Sequence, residues 1–157
     1  MRLSIIAAAG LIAATLTPAH AALGGLSGSL TSEAQTLRAT ALAARPLSTA
    51  TTTYHRHDLA LPDGGRASEF VDANGHVFAV SWQAPTMPEL STLLGSYRSS
   101  LDKAQTPQEG MGRAPRQINF RDGDCVLVST GRMRAYQGHA YLASQLPAGF
   151  DLKELSQ

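Results

Sequence analysis

His55 and His57 stand two residues apart in Tyr54-His55-Arg56-His57-Asp58, a run whose composition reads as β-strand, so both imidazoles fall on one face. A turn at Pro62-Asp63-Gly64-Gly65 and a second strand over residues 66–73 would set Phe70 opposite His57 and Asp72 opposite His55. Two imidazoles and a carboxylate can hold a divalent metal or pass protons as general acid and base. His55, His57 and Asp72 are therefore the catalytic and metal-ligand candidates of the chain. The plainer reading is that polar residues near a domain entrance face water. A metal site also wants a third firm ligand and outer hydrogen-bonding partners, which the sequence does not identify.

The remaining reactive residue types assemble into nothing comparable. His76 points to the opposite face of its strand, and His139 is remote in sequence. Glu69, beside a hydrophobic hairpin, could act as an acid of raised pKa, but Arg56 and Asp58 on the same side suit an ordinary polar network. Gly24-Gly25-Leu26-Ser27-Gly28 resembles a nucleophile elbow only loosely and does not satisfy G-x-S-x-G. Phosphate loops, dinucleotide fingerprints, paired C-x-x-C and H-E-x-x-H are absent, and no cofactor is expected. Cys125, the lone cysteine, sits in the apolar run Cys125-Val126-Leu127-Val128, where it packs as a small hydrophobe.

The elements that must position these residues follow from turn chemistry. Residues 52–61, 66–73 and 76–83 read as strands, with Asn74-Gly75 as the hairpin turn between the last two. In that hairpin Phe70 pairs with Ala79, Glu69 with Val80, Ala67 with Trp82 and Val71 with Phe78. Val71, Phe78, Val80 and Trp82 then line one face, and Leu59, Leu61, Phe70, Val77 and Ala79 the other. Thr86, Pro88 and Glu89 spell a capped helix start, and Leu90, Leu93, Leu94, Tyr97 and Leu101 give an apolar stripe to dock on the sheet. Gly95 within it marks a close contact with a strand. Residues 105–115 read as an exposed loop. Residues 116–120, 124–130 and 132–143 complete the strands, with Arg121-Asp122-Gly123 as a turn, Gly131 leading into the last strand and Gly138 as a bulge. The expected fold is α+β: an antiparallel sheet of about five to six strands in the order β-β-β-α-β-β-β, packed on one main helix.

Ahead of this domain, residues 22–51 are rich in Ala, Ser and Thr and read as a flexible arm, with a weakly amphipathic Ala-rich helix over residues 32–44. Residues 1–21 have the order of a secretory signal peptide. Arg2 precedes an apolar run, then Pro18-Ala19-His20-Ala21 places cleavage between Ala21 and Ala22. The domain proper is then residues 52–157. No later apolar run could span a bilayer, so no stable membrane insertion is expected after cleavage, and the protein is expected in the periplasm or secreted. Thirteen Lys and Arg against twelve Asp and Glu, without clusters, supply no counterion-releasing surface, which argues against nucleic acid.

Glu69-Phe70-Val71-Asp72, Gly75, Val77-Phe78-Ala79-Val80, Trp82, Pro85, Pro88-Glu89-Leu90 and Leu93-Leu94-Gly95 together resemble a DUF2844-like family of exported proteobacterial proteins of uncharacterised function. Gly138-His139-Ala140-Tyr141-Leu142 and Leu146-Pro147-Ala148-Gly149 resemble that family's ending, so the likeness covers roughly residues 54–149. It implies export and a single small domain, and transfers no activity or site residue. The leading expectation is a non-catalytic binding or accessory protein of the cell envelope, meeting a partner through a sheet edge or a pocket between sheet and helix. The alternatives are a metal-dependent or acid–base hydrolase using His55, His57 and Asp72, and an inhibitor of an extracellular hydrolase.

Overall fold

The computed structural model describes residues 22–27, 35, 37–42, 44–48, 52–105 and 117–156. Their frame is one antiparallel sheet. Its strands are β1 (Thr40–Ala41), β2 (Arg45–Ser48), β3 (Thr53–Ala60), β4 (Arg66–Val71), β5 (Val77–Ala84), β6 (Gln117–Asp122), β7 (Cys125–Arg132) and β8 (Ala135–Leu142). The spatial order is β1-β3-β4-β5-β8-β7-β6, with β2 pairing β3 beyond β1 along the same edge. Between β5 and β6 the chain forms α1 (Leu90–Leu94), a 3₁₀ turn (Gly95–Tyr97) and α2 (Arg98–Gln105). The six expected strands and the helix are present, but eight strands outweigh it, so the molecule is largely sheet rather than a balanced α+β fold. The signal-peptide residues 1–21 and the expected loop at residues 106–115 lie outside the described residues.

The two additional strands come from the stretch expected to be a flexible, partly helical arm. β1 pairs Thr40 with Ala60 and Ala41 with Leu59, and β2 pairs Arg45 with Arg56 through to Ser48 with Thr53. Gln35 is helical and residues 32–34 and 36 lie outside the described residues, but a helix carried on through residues 40–44 would leave the outer N–H and C=O row of β3 bare, whereas the ladder satisfies it; Pro46, which cannot donate, is tolerated on an edge strand. Residues 22–27 are also ordered. Gly24 N–H donates to the Val77 carbonyl, Val77 N–H to Gly25 and Leu23 N–H to Leu93, while Ala22 and Leu23 are almost fully buried.

Two registers differ from expectation. Leu61 N–H donates to the Gly65 carbonyl at 2.9 Å, so the β3–β4 turn holds only Pro62, Asp63 and Gly64, the last at φ +84°. That one-residue change puts Glu69 opposite His57 and Val71 opposite His55, and moves Leu59 onto the face of Ala67 and Trp82. In β4–β5 the pairs Ala67–Trp82, Glu69–Val80 and Phe70–Ala79 form as the alternation requires, but a bulge at Phe70/Val71 makes Val77, not Phe78, the partner of Val71. Val71 and Val77 therefore face the helix, and Phe78 joins Phe70 on the other side.

The capping box does not form. The helix begins at Leu90 with Glu89 as an N-cap lacking a side-chain bond, because Thr86 gives its backbone N–H and its hydroxyl to the Asp63 carboxylate. The later turns are tighter than expected: Arg121 and Asp122 belong to β6, and Gly131 and Arg132 to β7. Gly138 is not a bulge. The ladder runs through it unbroken from Trp82 to Ser129, and a methyl there would overlap the Val128 carbonyl oxygen and the Trp82 ring.

Each sheet face carries its own core. Leu90, Leu93, Leu94 and Leu101 press with Leu23 onto Leu59, Val77, Val80, Trp82, Leu127, Ala140 and Leu142, with Cys125 buried among them. On the opposite face Tyr54, Phe70 and Phe78 meet Phe150 and Leu155 of the C-terminal segment, Phe150 edge-on to all three rings.

Candidate functional site

The C-terminal segment covers only one end of that second face. The rest is a groove of about 780 Å³ whose floor comes from the central strands. Antiparallel pairing puts directly opposed residues on the same face, so the registers give the floor as two rows. One runs Ser68, Ser81, His139 and Val128 across β4, β5, β8 and β7 and continues on β3 to Asp58, outside the groove lining; the other runs Arg66, Gln83, Gln137 and Thr130 across the same four strands. Leu155 and Ser156 form one wall, and Arg134 and Tyr136 line the end nearest the β7–β8 turn. Arg134 holds φ +61° at that turn, a left-handed conformation uncommon for a residue with a side chain.

The outer end of the first row is locked. Arg56 Nε donates to Asp58 Oδ1 at 2.8 Å, the Ser68 hydroxyl donates to the same oxygen at 2.6 Å, and Arg56 Nη2 donates to Ser68 Oγ at 3.2 Å. Arg45 lies 3.8 Å from Asp58 Oδ2, and the Arg56 guanidinium stands 5.7 Å from the Phe70 ring centroid. Burial alone would raise the Asp58 pKa. The hydrogen bonds from Ser68 and Arg56 and the charges of Arg56 and Arg45 outweigh it, so the carboxyl titrates below its usual range. Asp58 thus stands beside the groove, outside its lining, already neutralised.

Toward the middle, Ser81 and His139 face each other across β5 and β8. His139 lies against Tyr141 with ring centroids 6.2 Å apart, and burial lowers its pKa, favouring neutral imidazole at pH 7. A serine, a histidine and an aspartate share one row, but they do not form a proton relay. The hydrogen bonds of Asp58 run to Arg56 and Ser68, and three strand spacings of about 4.8 Å separate β3 from β8. The groove can offer hydroxyls, primary amides, a neutral imidazole and two guanidinium groups, and no carboxylate lines it among the described residues.

The residues first singled out lie on the other side of the sheet. His55 is exposed and His57 half-buried on the face that carries Glu69 and Val71. Burial, then the neighbouring charge of His55, lowers the His57 pKa, with Asp58 opposing. Asp72 is not brought opposite His55. It lies past the end of β4, where its Oδ1 accepts the N–H groups of Asn74 and His76, each at 2.8 Å, and so closes the hairpin turn. Glu69, read as part of a surface network, is fully buried beneath the helix face, while Arg56 and Asp58 point to the opposite side. Among the described residues no three His, Cys, Asp or Glu side chains cluster so as to hold a metal.

The groove residues left a signal that reading for reactive types passes over. Arg66 and Ser68, Ser81 and Gln83, and Gln137 and His139 are polar pairs at i, i+2 within strands that, apart from Glu69, are otherwise apolar, aromatic or small. Three such pairs on adjacent strands mark one polar face.

No curated protein and no solved structure matches the chain. A family model described as "Protein of unknown function (DUF2844)" matches it over residues 19–155, a span that takes in the buried segment at Ala22, the whole sheet and the C-terminal segment that walls the groove. The chain belongs to the DUF2844 family.

Proposed function

We propose that the protein is a non-catalytic binding protein of the cell envelope that holds its ligand in the open groove of the sheet. The observation that carries this is the floor. Four adjacent strands turn hydrogen-bonding side chains toward one open cavity, although a solvent-facing sheet needs no such concavity and the aromatic core beside it is already closed. The signal-peptide pattern before Ala22 supports the compartment, because a protein released there meets cell-wall and surface material rather than cytoplasmic substrates. Binding alone accounts for the groove, since Asp58 is tied to Arg56 and Ser68 and activates neither Ser81 nor His139.

The test is a titration of the ¹⁵N-labelled exported protein with soluble envelope fragments: muropeptides, neutral and acidic oligosaccharides, glycerophosphodiester headgroups and acidic peptides. At least one class is expected to shift the amides of Ser68, Ser81, Gln137 and His139 together while leaving α1 and α2 in place. A panel that moves none of the four overturns the reading. Product formation from any bound fragment would overturn its non-catalytic part.

A further inference from the structure

Taking the groove as the binding site, we propose that its ligand is an extended acidic oligosaccharide laid across β4, β5, β8 and β7, with its carboxylates held by Arg66 and Arg134. Charge gives the first argument. The groove lining carries two guanidinium groups and no carboxylate among the described residues, both arginines are exposed, and neither takes part in the ion pairs among the described residues. Arginine presents a planar fork that matches a carboxylate in two parallel hydrogen bonds. Spacing gives the second. Neighbouring strands lie about 4.8 Å apart, close to the advance of one pyranose unit along a chain, so successive sugars crossing the floor each meet a fresh polar side chain over about 14 Å. Gln83, Gln137 and Thr130 fall at those steps, and amide and hydroxyl groups both donate to and accept from sugar hydroxyls.

The same floor is poorly built for a peptide. β5 and β8 are central strands paired on both sides, so they leave no free backbone row for an added strand. The second row, from Arg66 to Thr130, is polar throughout, and the apolar lining residues Leu42, Leu61, Pro85, Val128 and Leu155 lie outside that row. An acidic peptide therefore serves as the competing probe.

Calorimetry and ¹⁵N NMR on the exported protein would use four tetramers: α-linked oligogalacturonate, β-linked oligomannuronate, neutral cellotetraose and a tetraglutamate peptide. At least one uronate is expected to bind and shift Ser81, Gln137 and His139, with cellotetraose about tenfold weaker or more and binding falling as salt is added. An Arg66→Gln/Arg134→Gln double variant should weaken uronate binding by about tenfold or more with unchanged urea unfolding, because both side chains are exposed. Failure of both uronates, equal binding of cellotetraose, or equal binding of tetraglutamate at the same amides overturns the proposal. Cellotetraose or tetraglutamate in the groove without uronate would leave the groove reading intact. Silence of every probe here and in the wider fragment panel would remove both.

Discussion

Asp58 shows how one buried charge is made tolerable and what that costs at low pH. Its carboxylate is taken from water, which is unfavourable by several kcal/mol unless donors replace the hydration, and here Arg56 and Ser68 do so at 2.8 and 2.6 Å. Replacing Asp58 by Ala should cost about 3 kcal/mol, because buried Arg56 loses the carboxylate that its Nε meets at 2.8 Å. The pH dependence has a definite sign. The folded Asp58 pKa is below the unfolded value of about 3.9, so its contribution is complete above that pH and is lost as pH falls through the folded value. Urea unfolding from pH 6 downward should therefore show Asp58→Asn starting less stable and converging on the parent below about pH 4. A constant gap down to about pH 2 would mean that folding leaves the Asp58 pKa unchanged and its charge adds nothing to stability.

At the scale of elements, the contact between the N-terminal segment and the helix break decides more than helix propensity does. Gly95 separates α1 from α2 at φ +50°, and a Cβ placed there would lie 2.5 Å from the Ala22 methyl carbon. Gly95→Ala should lower stability by about 2–4 kcal/mol, through backbone strain and displacement of Ala22. In the double variant with Ala22→Gly only the steric share should return, which urea midpoints of the four forms would resolve; a neutral single substitution would mean that residues 22–27 do not dock as described. The sequence announced a close approach at Gly95 but assigned it to a strand; the contact is instead Ala22, in an Ala- and Gly-rich stretch without the periodicity that marks an element. The six strands from β3 to β8 and the Leu90–Leu101 stripe were legible because turns and alternation are local. The pairing of β1 and β2 was not, because an edge strand is chosen by the bare edge it meets. The histidine pair illustrates the same limit: alternation placed His55 and His57 on one face, but one residue of turn length decided that Glu69 and Val71, rather than Phe70 and Asp72, stand opposite. The groove was legible only as polar pairs at i, i+2, and their convergence needs the β5–β8 pairing, which spans more than fifty residues of chain.

For the whole molecule, the sheet is a partition with a core on each side, and the two sides are closed by opposite ends of the chain. The helix side is large and aliphatic and is sealed by α1, α2 and residues 22–27. The other side is a small aromatic cluster sealed by the C-terminal segment through Phe150, Leu155 and the hydrogen bond from the Tyr54 hydroxyl to Glu154 at 2.7 Å. Burial, then that hydrogen bond and the Glu154 charge, raises the Tyr54 pKa, so the phenol stays protonated and remains a donor. Because Leu155 and Ser156 are also a wall of the groove, the closure of this core and the shape of the binding site are one structural event. Ending the chain at Gly149 removes Phe150 and Leu155, exposes Tyr54, Phe70 and Phe78, and should cost about 3–5 kcal/mol, the range for deleting a buried aromatic side chain. The helix-side core contains neither Phe150 nor Leu155. The truncated protein should therefore keep its far-ultraviolet dichroism and Trp82 emission while binding a hydrophobic dye and losing groove affinity. If groove affinity survived with the aromatic cluster exposed, the C-terminal segment would close the core without shaping the site, and the ligand would be held by the sheet alone.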